Sequence, residues 1–444
     1  IPALKFKYSI GKNTQLELTS HMVFGERSSV QFINAGNIPD TFNLSIGSYN
    51  PRQVDRDFYN GFATEVRLLQ LFQIGKMSCA LSGGLRYFTS LTKRRQKGTG
   101  TIGSDFDLSV TKPFGIDLRL NTNNYAFFAE NMFKLNSKFT VTPGIRYEII
   151  STNLSGVINS ARDSITYRTT RNFPLFGVGL QYELNASSQL YTNISQAYRP
   201  YLYANVTPAD RLDKIDPSLQ DSKGYDIDIG YRGHYKNILQ FEIDAFYLFY
   251  GNRIGLIKQT NAGGADYLYT TNIGNSVTKG FEVFAELSLM KLIRPRQWST
   301  DIRLYNSLAY NSAKYTSGII NQGGINKSVT GNYIENAPAW VNKSGLKVKV
   351  KNVSFSFQYS YSSKIYNDAF NTESSSNGVI GVVPAYHVWD WSGIWQFTKQ
   401  LHISASISNL SNEKYFNRRI TMYPGPGILP ADGRTFNISV GAKF

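Results

Sequence analysis

The chain has 444 residues, 41% hydrophobic, 14% aromatic and 18% charged, and 47 Lys and Arg against 31 Asp and Glu leave a net charge of +16. So many aromatics with so few charges exclude a disordered or collagen-like chain, and no run approaches the ~18 consecutive apolar residues of a membrane-spanning helix. A single cysteine, Cys79, excludes an internal disulfide, and the scattered histidines His21, His234, His387 and His402 give no metal-ligand spacing, so neither a metal site nor a cofactor is expected.

Taken from the N-terminus, the elements read as strands, because apolar residues recur at every second position and so share one face. Leu16, Leu18, Met22 and Phe24 alternate with Gln15, Glu17, Thr19 and His21. Tyr225, Ile227, Ile229 and Tyr231 alternate with Asp226, Asp228, Gly230 and Arg232, and Leu346, Val348 and Val350 with Lys347, Lys349 and Lys351. Leu401, Ile403, Ala405 and Ile407 follow, and the last segment sets Phe436, Ile438, Val440, Ala442 and Phe444 against small or polar neighbours. No helical period of comparable length competes. The pattern predicts seventeen strands near 1–10, 14–25, 56–73, 77–90, 121–135, 137–150, 172–184, 187–198, 221–234, 236–258, 273–291, 298–312, 338–350, 352–365, 383–398, 400–416 and 433–444.

A soluble sandwich also alternates, so the connections decide. Very short ones (11–13, 136–137, 185–187, 398–400) take turns with long ones (25–56, 90–120, 151–171, 312–335). Short turns on one rim and long loops on the other are the build of an outer-membrane barrel. Strands of roughly ten to fifteen residues exceed the globular mode of about 5–6 and meet the roughly 9–11 that a bilayer requires. Trp389, Trp391, Trp395 and Phe397 share one parity, as an interfacial aromatic girdle does. The fold class expected is therefore all-β, a transmembrane antiparallel barrel. Bacterial barrels have even strand numbers; an odd count, and a chain that opens on Ile1 rather than Met, read as a processed or incomplete chain lacking N-terminal strands.

Several stretches resemble the C-terminal barrel of TonB-dependent outer-membrane receptors, and within that family the ferric dicitrate type. They are Tyr415-Phe-Asn-Arg-Arg419, Tyr423-Pro-Gly-Pro-Gly427 and Gly433-Arg-Thr-Phe436 running into the terminal strand, supported by Val54-Asp-Arg-Asp57, Ser195-Gln-Ala-Tyr-Arg-Pro200, Thr271-Asn-Ile-Gly274 and Lys279-Gly-Phe-Glu282. The resemblance implies a 22-stranded barrel closed by an N-terminal plug, of which 1–444 would be the barrel domain without plug or first strands. It further implies a non-enzymatic receptor in the outer membrane of a Gram-negative bacterium that takes up a ferric chelate, ferric citrate or another anionic siderophore. The expected partners are that chelate, the TonB complex acting through the missing plug, lipopolysaccharide and outer-membrane lipid. Uptake of cobalamin, haem or an oligosaccharide, a passive porin-like channel and a basic adhesin are the alternatives. A nucleic-acid partner is not expected, because the aromatics fall on the lipid-facing parity rather than among the basic residues.

Ferric citrate is a polyanion, so bidentate guanidinium groups are the residues to seek. The predicted long loops hold Arg52 and Arg56; Lys93, Arg94, Arg95 and Lys97; Arg162, Arg168 and Arg171; Arg199 and Arg211; and Arg418 and Arg419. The substrate-binding candidates are Arg199, Arg418, Arg419, Arg94, Arg95 and Arg168, led by Arg199, Arg418 and Arg419, which lie in the family-like stretches. Lys347, Lys349 and Lys351 read as a charged inner wall, and Asp226, Asp228, Glu242 and Asp244 as inner carboxylates available to pair with arginines; nothing near them offers a nucleophile or an orienting group. Gly83-Gly84 and Gly263-Gly264 read as strand breaks.

Overall fold

The computed structural model describes all residues except 35–37, 159–162, 208–213, 262–265, 294–298, 323, 377, 421–426 and 444. Its main sheet is an antiparallel meander of seventeen long strands, each paired with the next along the chain. They are β1 (Ala3–Ile10), β2 (Thr14–Gln31), β3 (Gln53–Ile74), β4 (Met77–Thr99), β5 (Ile116–Lys134), β6 (Phe139–Val157), β7 (Ser164–Asn185), β8 (Ser188–Arg199), β9 (Ser222–Tyr235), β10 (Leu239–Thr260), β11 (Asp266–Ser288), β12 (Thr300–Gln322), β13 (Trp340–Val350), β14 (Val353–Ser362), β15 (Tyr386–Gln396), β16 (Leu401–Ser408) and β17 (Thr435–Ala442). The seventeen expected strands appear one for one. Among the described residues β1 pairs only with β2 and β17 only with β16, so the sheet has two edges.

Strand length departs from expectation. β3 runs 22 residues and β4 23, and both extend well past where apolar alternation fades, into segments read as loops. The cause is physical. Alternation marks only the part of a strand that faces hydrocarbon, whereas the backbone ladder continues above the bilayer wherever a neighbour supplies hydrogen bonds. Arg56, Lys93, Arg94, Arg95, Lys97, Arg168 and Arg171 are therefore strand residues. On the opposite rim a short helix, Leu289–Ile293, stands where the end of a strand was expected.

The two faces separate as the alternation requires. Phe6, Val66, Leu68, Leu85, Tyr125, Phe127, Ile145, Phe176, Ile229 and Ile243 are large, apolar and exposed on one face, an apolar belt that only a lipid surround makes tolerable. The other, inner face is polar. An apolar cluster lies near the long-loop rim, where Leu118, Leu120 and Leu154 of β5 and β6 are buried under Tyr201, Tyr203, Ile215 and Leu219 of the 200–221 connection. That connection folds inward onto the wall. It is held by Asp221, which accepts from Arg171 Nη1 at 2.8 Å, from the backbone N–H of Tyr201 at 2.9 Å and from the Tyr198 hydroxyl.

Gly83 and Gly84 do not break a strand. β4 passes through them in unbroken register with β3 and β5. A Cβ on Gly84 would lie 2.8 Å from the Phe128 ring and closer still to the Val66 carbonyl, so glycine here lets the ring lie against the wall, with Arg67 and Arg146 over it at 5.5 and 5.7 Å. Gly263 and Gly264 fall outside the described residues.

Candidate ligand site on the inner wall

Strand parity sorts the arginines before any distance is measured. In β4, Arg94 pairs with Asp57 and with buried Leu118 and so faces inward, whereas Lys93 and Arg95 on either side of it face outward. Arg168 shares the outer face with Asn153, to which its Nε donates at 2.8 Å. Of the expected substrate residues, Arg95 and Arg168 therefore point away from the inner wall. Arg52 is structural: buried to 5% exposure, it donates to Asp40 and Asp105 at 2.5 and 2.8 Å and lies 5.2 Å from the Phe32 ring, tying two loop segments together. Those carboxylates hold its guanidinium more firmly protonated than usual.

Arg199 ends β8 on the inner face. It is exposed, and its only described bond is from Nη1 to the Tyr250 hydroxyl at 3.2 Å. Beyond Tyr250 stands Arg253, which the sequence reading missed. Its guanidinium lies 5.1 Å from the Tyr250 ring and 5.0 Å from that of Tyr315, donates to Ser276 Oγ at 3.2 Å and faces Glu335 at 3.6 Å. Tyr315 is 2% exposed and donates to the other oxygen of Glu335 at 2.8 Å. The result is an Arg-Tyr-Arg-Tyr row whose inner members are fixed and whose outermost, Arg199, is free of any carboxylate among the described residues. A group so placed can grip an incoming anion bidentately at little reorganisation cost.

A second inward position lies across the wall. Asp57 is fully buried, accepts from Gln96 at 3.0 Å, and has Arg27 at 3.7 Å and Arg94 at 3.9 Å. Neither arginine closes into a tight pair, and Arg94 Nε is a buried donor without an acceptor. Below the rim, Arg86, Asn124, Arg146 and Glu148 line a hollow of about 310 Å³, in which Arg146 is matched by Glu148 and Arg86 has no carboxylate partner among the described residues. Arg86 was also missed, although its parity with Gly84 and Phe88, opposite exposed Leu85, marks it as inward.

The remaining candidates divide. Arg418 and Arg419 lie on a hairpin of Phe416–Ile420 with Gly427–Pro430 in the last long connection. Arg419 spends its donors on the carbonyls of Val382, at 3.1 Å, and Gly378, and so clasps two loops together, while Arg418 is exposed. Arg162, Arg211 and 424–426 of the Pro-Gly turn fall outside the described residues. Lys347 and Arg303 share Glu286 at 2.9 and 2.8 Å, so the lysine is paired within the wall, and Lys351 sits in a turn at φ 52° rather than on the strand. Asp226, Asp228, Glu242 and Asp244 gather without an ion pair among the described residues; Glu242 instead accepts from the Tyr191 hydroxyl at 2.9 Å.

A meander of long strands with an outward apolar belt, short turns on one rim and arginines on an inner wall matches one family description, "TonB dependent receptor-like, beta-barrel", over residues 3–410. The chain belongs to that family. Among curated relatives, the probable TonB-dependent siderophore receptor PiuA of Acinetobacter baumannii is 22% identical over 322 residues, which cover 70% of this chain and 39% of PiuA. Solved structures superpose along the whole chain: the unliganded ferric citrate transporter FecA (TM-score 0.78, 20% identity, 61% of FecA covered), PiuA (0.76, 17%, 64%) and the copper transporter OprC (0.74, 14%, 67%). The chain thus spans about two fifths of the curated receptor's length and about three fifths of FecA. At such identities the likeness is one of fold, and the family places the barrel in the outer membrane.

Proposed function

We propose that this barrel belongs to a receptor that takes up an anionic ferric chelate, ferric citrate in particular, with energy delivered by TonB to a plug carried by the rest of the receptor. The observation that carries the reading is the inner-rim arginine Arg199, exposed and with no carboxylate partner among the described residues, at the head of the Tyr250, Arg253 and Tyr315 row. A tricarboxylate complex suits guanidinium groups that a neutral hydroxamate or cobalamin would leave unmatched. The net charge of +16 adds long-range steering of an anion toward the rim. Strands and a plug from the remainder of the receptor would complete the sheet between β17 and β1 and close what would otherwise be an open polar lumen.

The test is binding of ferric citrate, a neutral ferric hydroxamate and cobalamin to the intact receptor, with and without Arg199→Ala. A lost charge-assisted contact of ~1.5–3 kcal/mol lowers ferric citrate affinity roughly ten- to a hundredfold. Association should also slow as salt rises, since exposed charges are screened beyond about 8–10 Å at moderate ionic strength. Preference for another ligand, indifferent to Arg199, would leave the receptor family standing and discard citrate.

A further inference from the structure

Strict alternation along β10 would send Arg253 to the outer face, because Tyr250, three residues before it, faces inward. Instead the strand bulges. Gly251 and Asn252 together stand opposite Asn275 of β11, with Asn252 at φ 54°. The bulge is tied down: the Asn252 N–H donates to Asn275 Oδ1 at 2.9 Å, and its carbonyl accepts from Ser222 Oγ at 2.9 Å and Asn272 Nδ2 at 3.0 Å. One extra residue reverses the parity beyond it and re-aims the side chain that follows. The guanidinium of Arg253 is thereby set against the ring of Tyr250, the tyrosine whose hydroxyl Arg199 contacts.

Most of its donors are unspent. An arginine carries five N–H donors, and among the described residues Arg253 makes one hydrogen bond, to Ser276 Oγ, while Glu335 Oε1 at 3.6 Å lies beyond hydrogen-bond range. The backbone on either side holds Glu335 at that distance. The Ile334 N–H donates to the Ala313 carbonyl at 3.0 Å and the Asn336 N–H to the Tyr366 carbonyl at 2.8 Å, while the other carboxylate oxygen accepts from the Tyr315 hydroxyl at 2.8 Å. Both side chains stay partly open, Arg253 at 21% and Glu335 at 32% exposure. A carboxylate fixed near a guanidinium but short of a tight pair lends it charge and leaves its donors for another anion.

We propose that Arg253 is a second grip on the chelate and that Glu335 is its resident counter-ion. Arg199 and Arg253, joined through Tyr250, take two carboxylates of one chelate, and Glu335 competes with the chelate for Arg253 and so sets how tightly it is held. The assignment rests on the reading of Arg199 as a chelate contact.

The test is ferric citrate binding by the intact receptor carrying Glu335→Gln, Arg253→Gln or both, with Arg199→Ala alongside. Glu335→Gln keeps an oxygen for the Tyr315 hydroxyl and removes the charge, so affinity should rise roughly two- to fivefold, the range of a partly exposed charge pair. Arg253→Gln should weaken binding roughly ten- to a hundredfold. In that background Glu335→Gln should add nothing, because the group it competes for is gone. A fall or no change with Glu335→Gln, or a gain that survives the loss of Arg253, would overturn the proposal; a merely structural Glu335 gives the fall. Should Arg253→Gln fail to insert, the sign of the effect of Glu335→Gln alone decides. A loss in Arg199→Ala without a gain in Glu335→Gln discards this inference and keeps the anion reading, whereas indifference to Arg199→Ala discards both.

Discussion

Removing the carboxylate of Asp221 should detach the 200–221 connection from the inner wall while leaving the sheet standing. Asp221 accepts three hydrogen bonds, from Arg171, Tyr198 and the Tyr201 backbone. Hydrogen bonds to a charged group contribute ~1.5–3 kcal/mol each, but Arg171 keeps its bond to Thr152 at 2.9 Å and its place 4.4 Å from the Tyr201 ring. The freed Tyr198 hydroxyl can reach water in the lumen. We therefore expect a net local loss of about 3 kcal/mol, equivalent to a roughly 150-fold rise in opening, since each ~1.4 kcal/mol is tenfold. Hydrogen exchange of the intact receptor reads it directly. The useful amides are those of Asn205, bonded to the Leu202 carbonyl at 2.9 Å, and Asp216, bonded to the Thr270 carbonyl at 2.9 Å, because neither touches Asp221. In Asp221→Ala both should exchange about two orders of magnitude faster, and those of mid-strand β5 should not change. Exchange at Asn205 and Asp216 within a few-fold of wild type would show that the apolar cluster around Leu118 and Tyr201 holds the connection unaided.

Two further outcomes follow from the faces and the loops. Ile229→Arg, on the exposed apolar face of β9, should cost about 2–4 kcal/mol at mid-bilayer in a folding titration into lipid vesicles, whereas Asp228→Arg, one residue away among Asp226, Glu242 and Asp244, should be tolerated; equal penalties would contradict the facing assigned here. Asp216 accepts from Ser218 Oγ at 2.6 Å, Thr271 Oγ1 at 2.5 Å and the Ser218 N–H at 2.8 Å, which lower its pKa to about 2. A depressed carboxylate pKa stabilises above the unfolded value and is lost as pH falls toward the folded one, so proteolysis at 214–221 should be unchanged from pH 7 to 5 and increase from about pH 4 down to 2; loosening confined to the higher range would refute the role.

The number of strands and their chain order were legible in the sequence because a bilayer forces strict alternation on every crossing. Where that pressure ends, so does the signal. The segment 91–99 carries polar residues on both faces, and nothing in Leu91-Thr-Lys-Arg-Arg-Gln-Lys-Gly-Thr99 distinguishes a loop from a strand whose hydrogen bonds come from neighbours remote in sequence. The structural roles of Arg52 and Arg419 were equally hidden, since their partners Asp40, Asp105, Val382 and Gly378 lie on other loops that only the fold brings near.

Inward and outward, by contrast, were already written in the parity. Leu81 and Leu85 are exposed apolar residues of the belt, and β4 keeps unbroken register with β5 from Ser78 to Gln96. Odd positions therefore face out along the whole strand, which sends Lys93 and Arg95 to the lipid side and Arg86 and Arg94 to the inner wall. In β7 exposed Phe176 fixes even positions as outward, which removes Arg168 from the inner wall and turns Arg171 toward it, where it pairs with Asp221. Basic residues treated as one loop population thus form two on opposite faces. One set lies on the inner wall, and the other on the outer face at the top of the apolar belt. A triplet such as Lys93-Arg94-Arg95 reaches both faces because a strand turns each successive side chain through half a revolution, so that Arg94→Gln in the intact receptor should alter chelate binding and Lys93→Gln, one residue away, should not; equal effects would refute the facing.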